Sequence, residues 1–134
     1  MVRPIKYRAW DKERKEMHDV YALFLNEDGT VRYVYFWDDT PMEKHRNVEL
    51  LQFTGLLDKK GVEIYEGDII LFGDNAIHGG THGKVIWLES RVGFVYEFID
   101  GKFKGQCTDM VDDWRTYEVV GNVFENPELL EATE

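Results

Sequence analysis

Cysteine is nearly absent: Cys107 is the only one in 134 residues, so no disulfide can form within the chain. Also lacking is an N-terminal segment that joins a basic start to an apolar run and a small-residue cleavage site, because the opening MVRPIKYRAWDKERK is charged throughout. Secretion is therefore not expected. No wholly apolar run approaches the roughly 20 residues that span a bilayer, and the expectation is a soluble, intracellular protein. Two catalytic signatures are missing as well. The glycine-rich stretch GDNAIHGGTHG, Gly73 to Gly83, has neither the lysine nor the spacing of a nucleotide-binding loop, and no GxSxG nucleophile elbow occurs.

Basic residues are scarce in one half only. Residues 1 to 60 hold 11 Lys+Arg against 11 Asp+Glu, whereas residues 61 to 134 hold 5 against 15, so the second half carries the whole formal charge of −10. An acidic surface repels phosphate, which disfavours general nucleic-acid binding, and it attracts basic partners in a salt-sensitive way. The plain reading of such a surface is solubility.

What is present is apolar and aromatic. A chain 43% hydrophobic and 14% aromatic is long enough for one core or two small modules, and rings and branched side chains suit half-buried pleated surfaces. The class predicted is mainly β. Ile5 to Trp10 alternates as a strand does. MHDVYALFL, residues 17 to 25, fits a helix or a strand by spacing, and its aromatic and branched content favours a strand. After Asn26-Glu27-Asp28-Gly29, TVRYVYFW places Val31, Tyr33, Tyr35 and Trp37 on one face, which predicts a hairpin. DDTPMEKHRN, residues 38 to 47, reads as a polar connector, and VELLQFT resumes extended structure. Asp58-Lys59-Lys60-Gly61 is a turn at which the composition becomes acidic. It separates an N-terminal β region, residues 1–57, from residues 58–134.

The stretch GVEIYEGDIILF sets Glu66, Gly67 and Asp68 before a buried-looking run. It reads as a turn that launches a strand, with Gly67 free to bend and Asp68 able to accept from backbone amides. KVIWLE, GFVYEFI and TYEVVGNVF supply further strands, and Asp100-Gly101 reads as a two-residue turn pairing FVYEFI with KFKGQC. Short, closely spaced strands predict a small SH3-like β-barrel, since closure hides sheet edges. Asn126-Pro127-Glu128 matches a capped helix start, predicting a short C-terminal helix whose Leu129 and Leu130 dock on the barrel.

Few side chains suggest chemistry. His78 and His82 are four apart, a metal-ligand spacing on a helix, but the glycines around them argue for a loop. Cys107 would be a nucleophile only if the fold brought a histidine to it. Asp109, Asp112, Asp113 and Trp114 form the densest acidic cluster, beside an aromatic. A solvated turn is the simple explanation, and an acidic rim around an aromatic anchor is the candidate partner surface. Arg3, Lys6, Arg8 and Trp10 interleave basic and aromatic character, a short version of a single-strand-binding pattern.

IKYRAWD, LLQFTGLLDKKGVEIYEGDII and YEVVGNVFENPELL together resemble the YopX family of phage and prophage proteins of Gram-positive bacteria. The resemblance spans nearly the whole chain. It implies an N-terminal β region followed by an SH3-type barrel and a place in the host bacterial cytoplasm, and it carries no catalytic residues over. The resulting expectation is a non-enzymatic protein-binding module, without cofactor or bound metal, that self-associates as a homo-oligomer. The alternatives are a small metal-dependent enzyme using His78 and His82, or an acidic mimic of DNA.

Overall fold

The computed structural model describes residues 4–72, 81–110 and 117–131. The chain divides into two compact units, Met1–Gln52 and Phe53–Glu134. Both are built from antiparallel strands, and a short 3-10 helix at Pro127–Glu131 is the helical element among the described residues. The mainly β class read from alternation and aromatic content is the observed one.

In the first unit, β1 (Tyr7–Asp11), β2 (Glu16–Leu25), β3 (Val31–Phe36) and the start of β4 (Val48–Leu57) lie in the order β3-β2-β1-β4. Ile5 stands outside β1, exposed. Alternation decides the burial. Ala9, Val34 and Phe36 are fully buried, with Val20, Leu23, Val31, Val48 and Leu50 packed around them. In β3 the core therefore takes the even-numbered side, and the face carrying Tyr33 and Tyr35 is the outer one. The turn from β1 to β2 is folded by Asp11, whose buried carboxylate accepts from the Glu13 and Arg14 amides at 3.0 and 3.2 Å.

In the second unit, the end of β4 pairs with β5 (Glu63–Tyr65). A five-stranded sheet follows, in the order β10-β6-β7-β8-β9, from β6 (Asp68–Phe72), β7 (His82–Leu88), β8 (Gly93–Phe98), β9 (Cys107–Asp109) and β10 (Tyr117–Asn122). Its core joins Ile64, Ile70, Phe72, Val85, Tyr96, Phe98 and Tyr117. Burial and the neighbouring Tyr117 push the Tyr96 hydroxyl up to about 12, so it stays protonated at any ordinary pH. No ladder joins β9 to β10 among the described residues.

The Glu66-Gly67-Asp68 stretch is structural. Gly67 has φ +88°, a left-handed conformation that disfavours residues with a Cβ, and buried Asp68 accepts from the Tyr65 amide at 2.8 Å. The turn at Asp58 is held more firmly. Its buried carboxylate takes the amides of Lys60 and Val62, both at 2.8 Å, and of Val119 in β10 at 2.9 Å.

Two expectations are corrected. Asp100-Gly101 does not close a two-residue hairpin: β8 pairs with Cys107–Asp109, with Glu97 opposite Cys107. The chain between turns twice, because Gly101 and Gly105 both take positive φ, and the Lys104 and Gln106 amides reach back to the Gly101 and Phe103 carbonyls. The short C-terminal helix is present, as a 3-10 segment of five residues, and what differs is its cap. Asn126 does not cap it with its side chain, which instead accepts from the Asn122 amide at 3.1 Å. Leu129 and Leu130 are half-buried, and Leu130 lines a depression with Phe98 and Ile99.

Candidate functional site

The β2–β3 hairpin turns large rings outward. Phe24 and Tyr33 are register partners and stack with centroids 4.8 Å apart. Tyr35 meets both edge-on, at 5.9 Å from Phe24 and 5.7 Å from Tyr33. Farther along, Tyr21 and Trp37 form a T-shaped pair at 4.5 Å. This face is open to solvent, with Tyr21 50%, Phe24 43% and Trp37 64% exposed. At the Tyr33 end, three cations lie over one ring: Lys44 at 4.8 Å, Arg46 at 5.5 Å and Arg32 at 5.8 Å from the centroid. Exposed rings in contact with one another, with cations at one end, give this face an apolar patch with a positive end.

On the buried side of the same hairpin, Phe36 lies between two imidazoles. His18 stacks on one ring contact at 4.4 Å and 11°, and His45 on another at 3.9 Å and 12°. Each histidine has acidic company. His18 Nδ1 is 3.0 Å from Asp38, and its Nε2 is 3.0 Å from Glu16 Oε1. Ionised carboxylates only accept, so both ring nitrogens must donate, and the arrangement selects the imidazolium. Burial pulls the His18 pKa down, but the hydrogen bonds and charges of Glu16 and Asp38 outweigh it and hold the group above its ordinary 6.5. His45 Nε2 lies 2.5 Å from Asp39 Oδ2. Its backbone forms a bridge with Val34, which places the imidazole over Phe36. The loop read as a featureless polar connector therefore supplies both Asp38 and His45 to the hairpin.

The residues singled out by sequence fall elsewhere. Asp109 is exposed and paired with Arg91 at 2.5 Å, while Asp112, Asp113 and Trp114 lie outside the described residues, as does His78. His82 is engaged by Asp100, which accepts from the His82 backbone amide and sits 2.7 Å from Nδ1. Cys107 is half-buried at the start of β9, opposite Glu97. Arg8 and Trp10 are half-buried within β1, so that strand does not present the open basic-aromatic stripe its sequence suggested. The aromatic face was half visible in the alternation of Tyr33, Tyr35 and Trp37. The histidine stack was not, because it depends on pairing between residues far apart in sequence.

Among the described residues no helix is long and apolar enough to cross a membrane. The fold has solved counterparts. A protein from Enterococcus faecalis, EF1440, is 27% identical with a TM-score of 0.65, over 96% of this chain and 99% of its own. The protein yopX from Bacillus subtilis is 22% identical with a TM-score of 0.58, over 92% and 96%. No curated protein matches the chain. The family model described as YopX protein matches residues 6–131, and the chain belongs to the YopX family.

Proposed function

We propose that this YopX-family protein is a non-enzymatic accessory protein of a phage or prophage, and that it acts by binding another protein through the outer face of the β2–β3 hairpin. The observation that carries the reading is the outward aromatic ladder of exposed Tyr21, Phe24 and Trp37 with half-buried Tyr33 and Tyr35, already ordered by ring-to-ring contacts. Aromatic anchors dominate interface energetics because they bury much apolar surface for little loss of side-chain freedom. Rings fixed before binding lower the ordering cost further. Lys44, Arg46 and Arg32 around Tyr33 favour a partner that offers carboxylates beside its apolar contact.

The test is capture from host-cell extract by the wild-type chain and by a Tyr21→Ala/Trp37→Ala double variant. Loss of a central anchor costs about 2 kcal/mol or more, roughly 30-fold in affinity, so the captured protein should be retained by the first and lost from the second. Equal retention by both would overturn the assignment of this face. The three cations over Tyr33 favour a second reading, a single-stranded nucleic acid stacking on the same rings, against which stands the net charge of −10. Fluorescence anisotropy with a labelled oligonucleotide separates the two: tight, Trp37-dependent binding at physiological salt would favour nucleic acid.

A further inference from the structure

We propose that Asp39, Glu43 and His45 form a binding site for one divalent transition-metal ion. One ligand atom from each of the three lies within 4.8 Å of the other two. Around an ion with bonds of about 2.0–2.2 Å, neighbouring ligand atoms stand roughly 3 to 3.5 Å apart, so closure requires side-chain adjustment and no rearrangement of the chain.

The three side chains are suited to that adjustment in different ways. Asp39 and His45 are the fixed part: each side chain is only 10% exposed, and the His45 ring is held by its stack on Phe36 and its backbone bridge to Val34. Their contact, Nε2 to Oδ2 at 2.5 Å, aims one ring nitrogen and one carboxylate oxygen at the same place. An ion there displaces the proton they share, and the two atoms separate by roughly 0.5–1 Å. Glu43 is the mobile part. Its side chain is 55% exposed and reaches Arg14 at 3.5 Å, a weak contact that an ion outcompetes because surface pairs are worth about 0–1 kcal/mol. The nearby cations Lys44 and Arg46 extend over the Tyr33 ring.

The donor set identifies the class of ion. One imidazole with two carboxylates suits Zn²⁺, Ni²⁺, Co²⁺ or Mn²⁺, whereas Mg²⁺ and Ca²⁺ take oxygen ligands. Three protein ligands leave coordination positions for water or for a donor from another molecule.

The experiment is calorimetric titration of the untagged chain with Zn²⁺ and Co²⁺, together with the visible absorption spectrum of the Co²⁺ form. One equivalent should bind. Asp39→Asn and Glu43→Gln should each weaken binding by at least about tenfold and change the Co²⁺ spectrum. Arg14→Gln, which frees Glu43, should tighten it severalfold. Glu43→Gln alters an exposed side chain, so its folding is not in question, and circular dichroism checks Asp39→Asn. Absence of stoichiometric binding, or binding that Glu43→Gln leaves unchanged, would overturn the proposal.

Discussion

At the residue scale, buried carboxylates hold backbone turns. Asp58 is the clearest case, because one side chain satisfies three amides, two in its own turn and one in β10. Truncation removes both carboxylate oxygens and leaves three amides without their acceptor. Each orphaned donor costs on the order of 1–3 kcal/mol, partly relieved by water entering the gap. Asp58→Ala should therefore lower stability by about 3–5 kcal/mol in urea denaturation, whereas a loss below about 1 kcal/mol would show that the turn holds without its carboxylate. Asp58→Asn should fall between, since an amide keeps one acceptor and turns an N–H towards another donor.

His18 gives the fold a pH dependence of known sign. Glu16 and Asp38 raise its pKa in the folded state, so its contribution to stability is fully present below about 6.5 and is lost as pH rises through the higher folded value. Proton NMR should find the His18 titration midpoint above 6.5, and Asp38→Asn should bring it down. The same substitution should shrink the difference in unfolding midpoint between pH 6 and pH 8. A wild-type midpoint below 6.5 would mean that burial prevails over the two acids.

At the scale of elements, strands were legible and turns were so only where glycine took the unusual dihedral, as at Gly29, Gly61 and Gly67. Strands declare themselves through alternation: Phe94, Tyr96 and Phe98 were read on one face, and β8 is the strand Gly93–Phe98. Even MHDVYALFL, ambiguous by spacing, resolves as β2 once it can pair on both sides with β1 and β3. A turn depends on which residue takes the unusual dihedral. Between β7 and β8 the glycine at 93 invites that role, yet Val92 holds it, with φ +50°, and Gly93 opens the strand. A β-branched residue there costs about 1–2 kcal/mol. Val92 is 76% exposed, so little packing offsets the strain. Val92→Gly should raise stability by about 0.5–1 kcal/mol, after the greater freedom glycine adds to the unfolded chain. A lower melting temperature for that variant would show that Val92 has contacts worth more than its strain. The site was hidden for a related reason. Asp38 and His45 looked like loop polarity because the partners that give them meaning, His18 and Phe36, sit in other elements.

At the scale of the whole molecule, the question is what covers its remaining sticky surface. Among the described residues, strand edges contribute little. β3 is capped by the two-way backbone bridge between Val34 and His45, β10 is met by Lys59 and Asp58, and β9 is three residues long. Edge-to-edge pairing is therefore blunted, and self-association would have to use faces and charge. Both are available: an exposed aromatic hairpin ringed by cations at Tyr33, and a chain whose acidic excess lies wholly in residues 61 to 134. We expect a homo-oligomer at micromolar concentration in low salt, in which the cationic rim of one copy meets the acidic region of another. Size-exclusion chromatography with light scattering reads the mass directly, and a value of 15.8 kDa under those conditions would sink the expectation. Salt then tests the cause. Screening shortens the reach of exposed charges to about 8 Å at physiological ionic strength, so the assembly should weaken as salt rises. An oligomer indifferent to salt but dissociated by Trp37→Ala would be held by the rings, and charge would have no part in it.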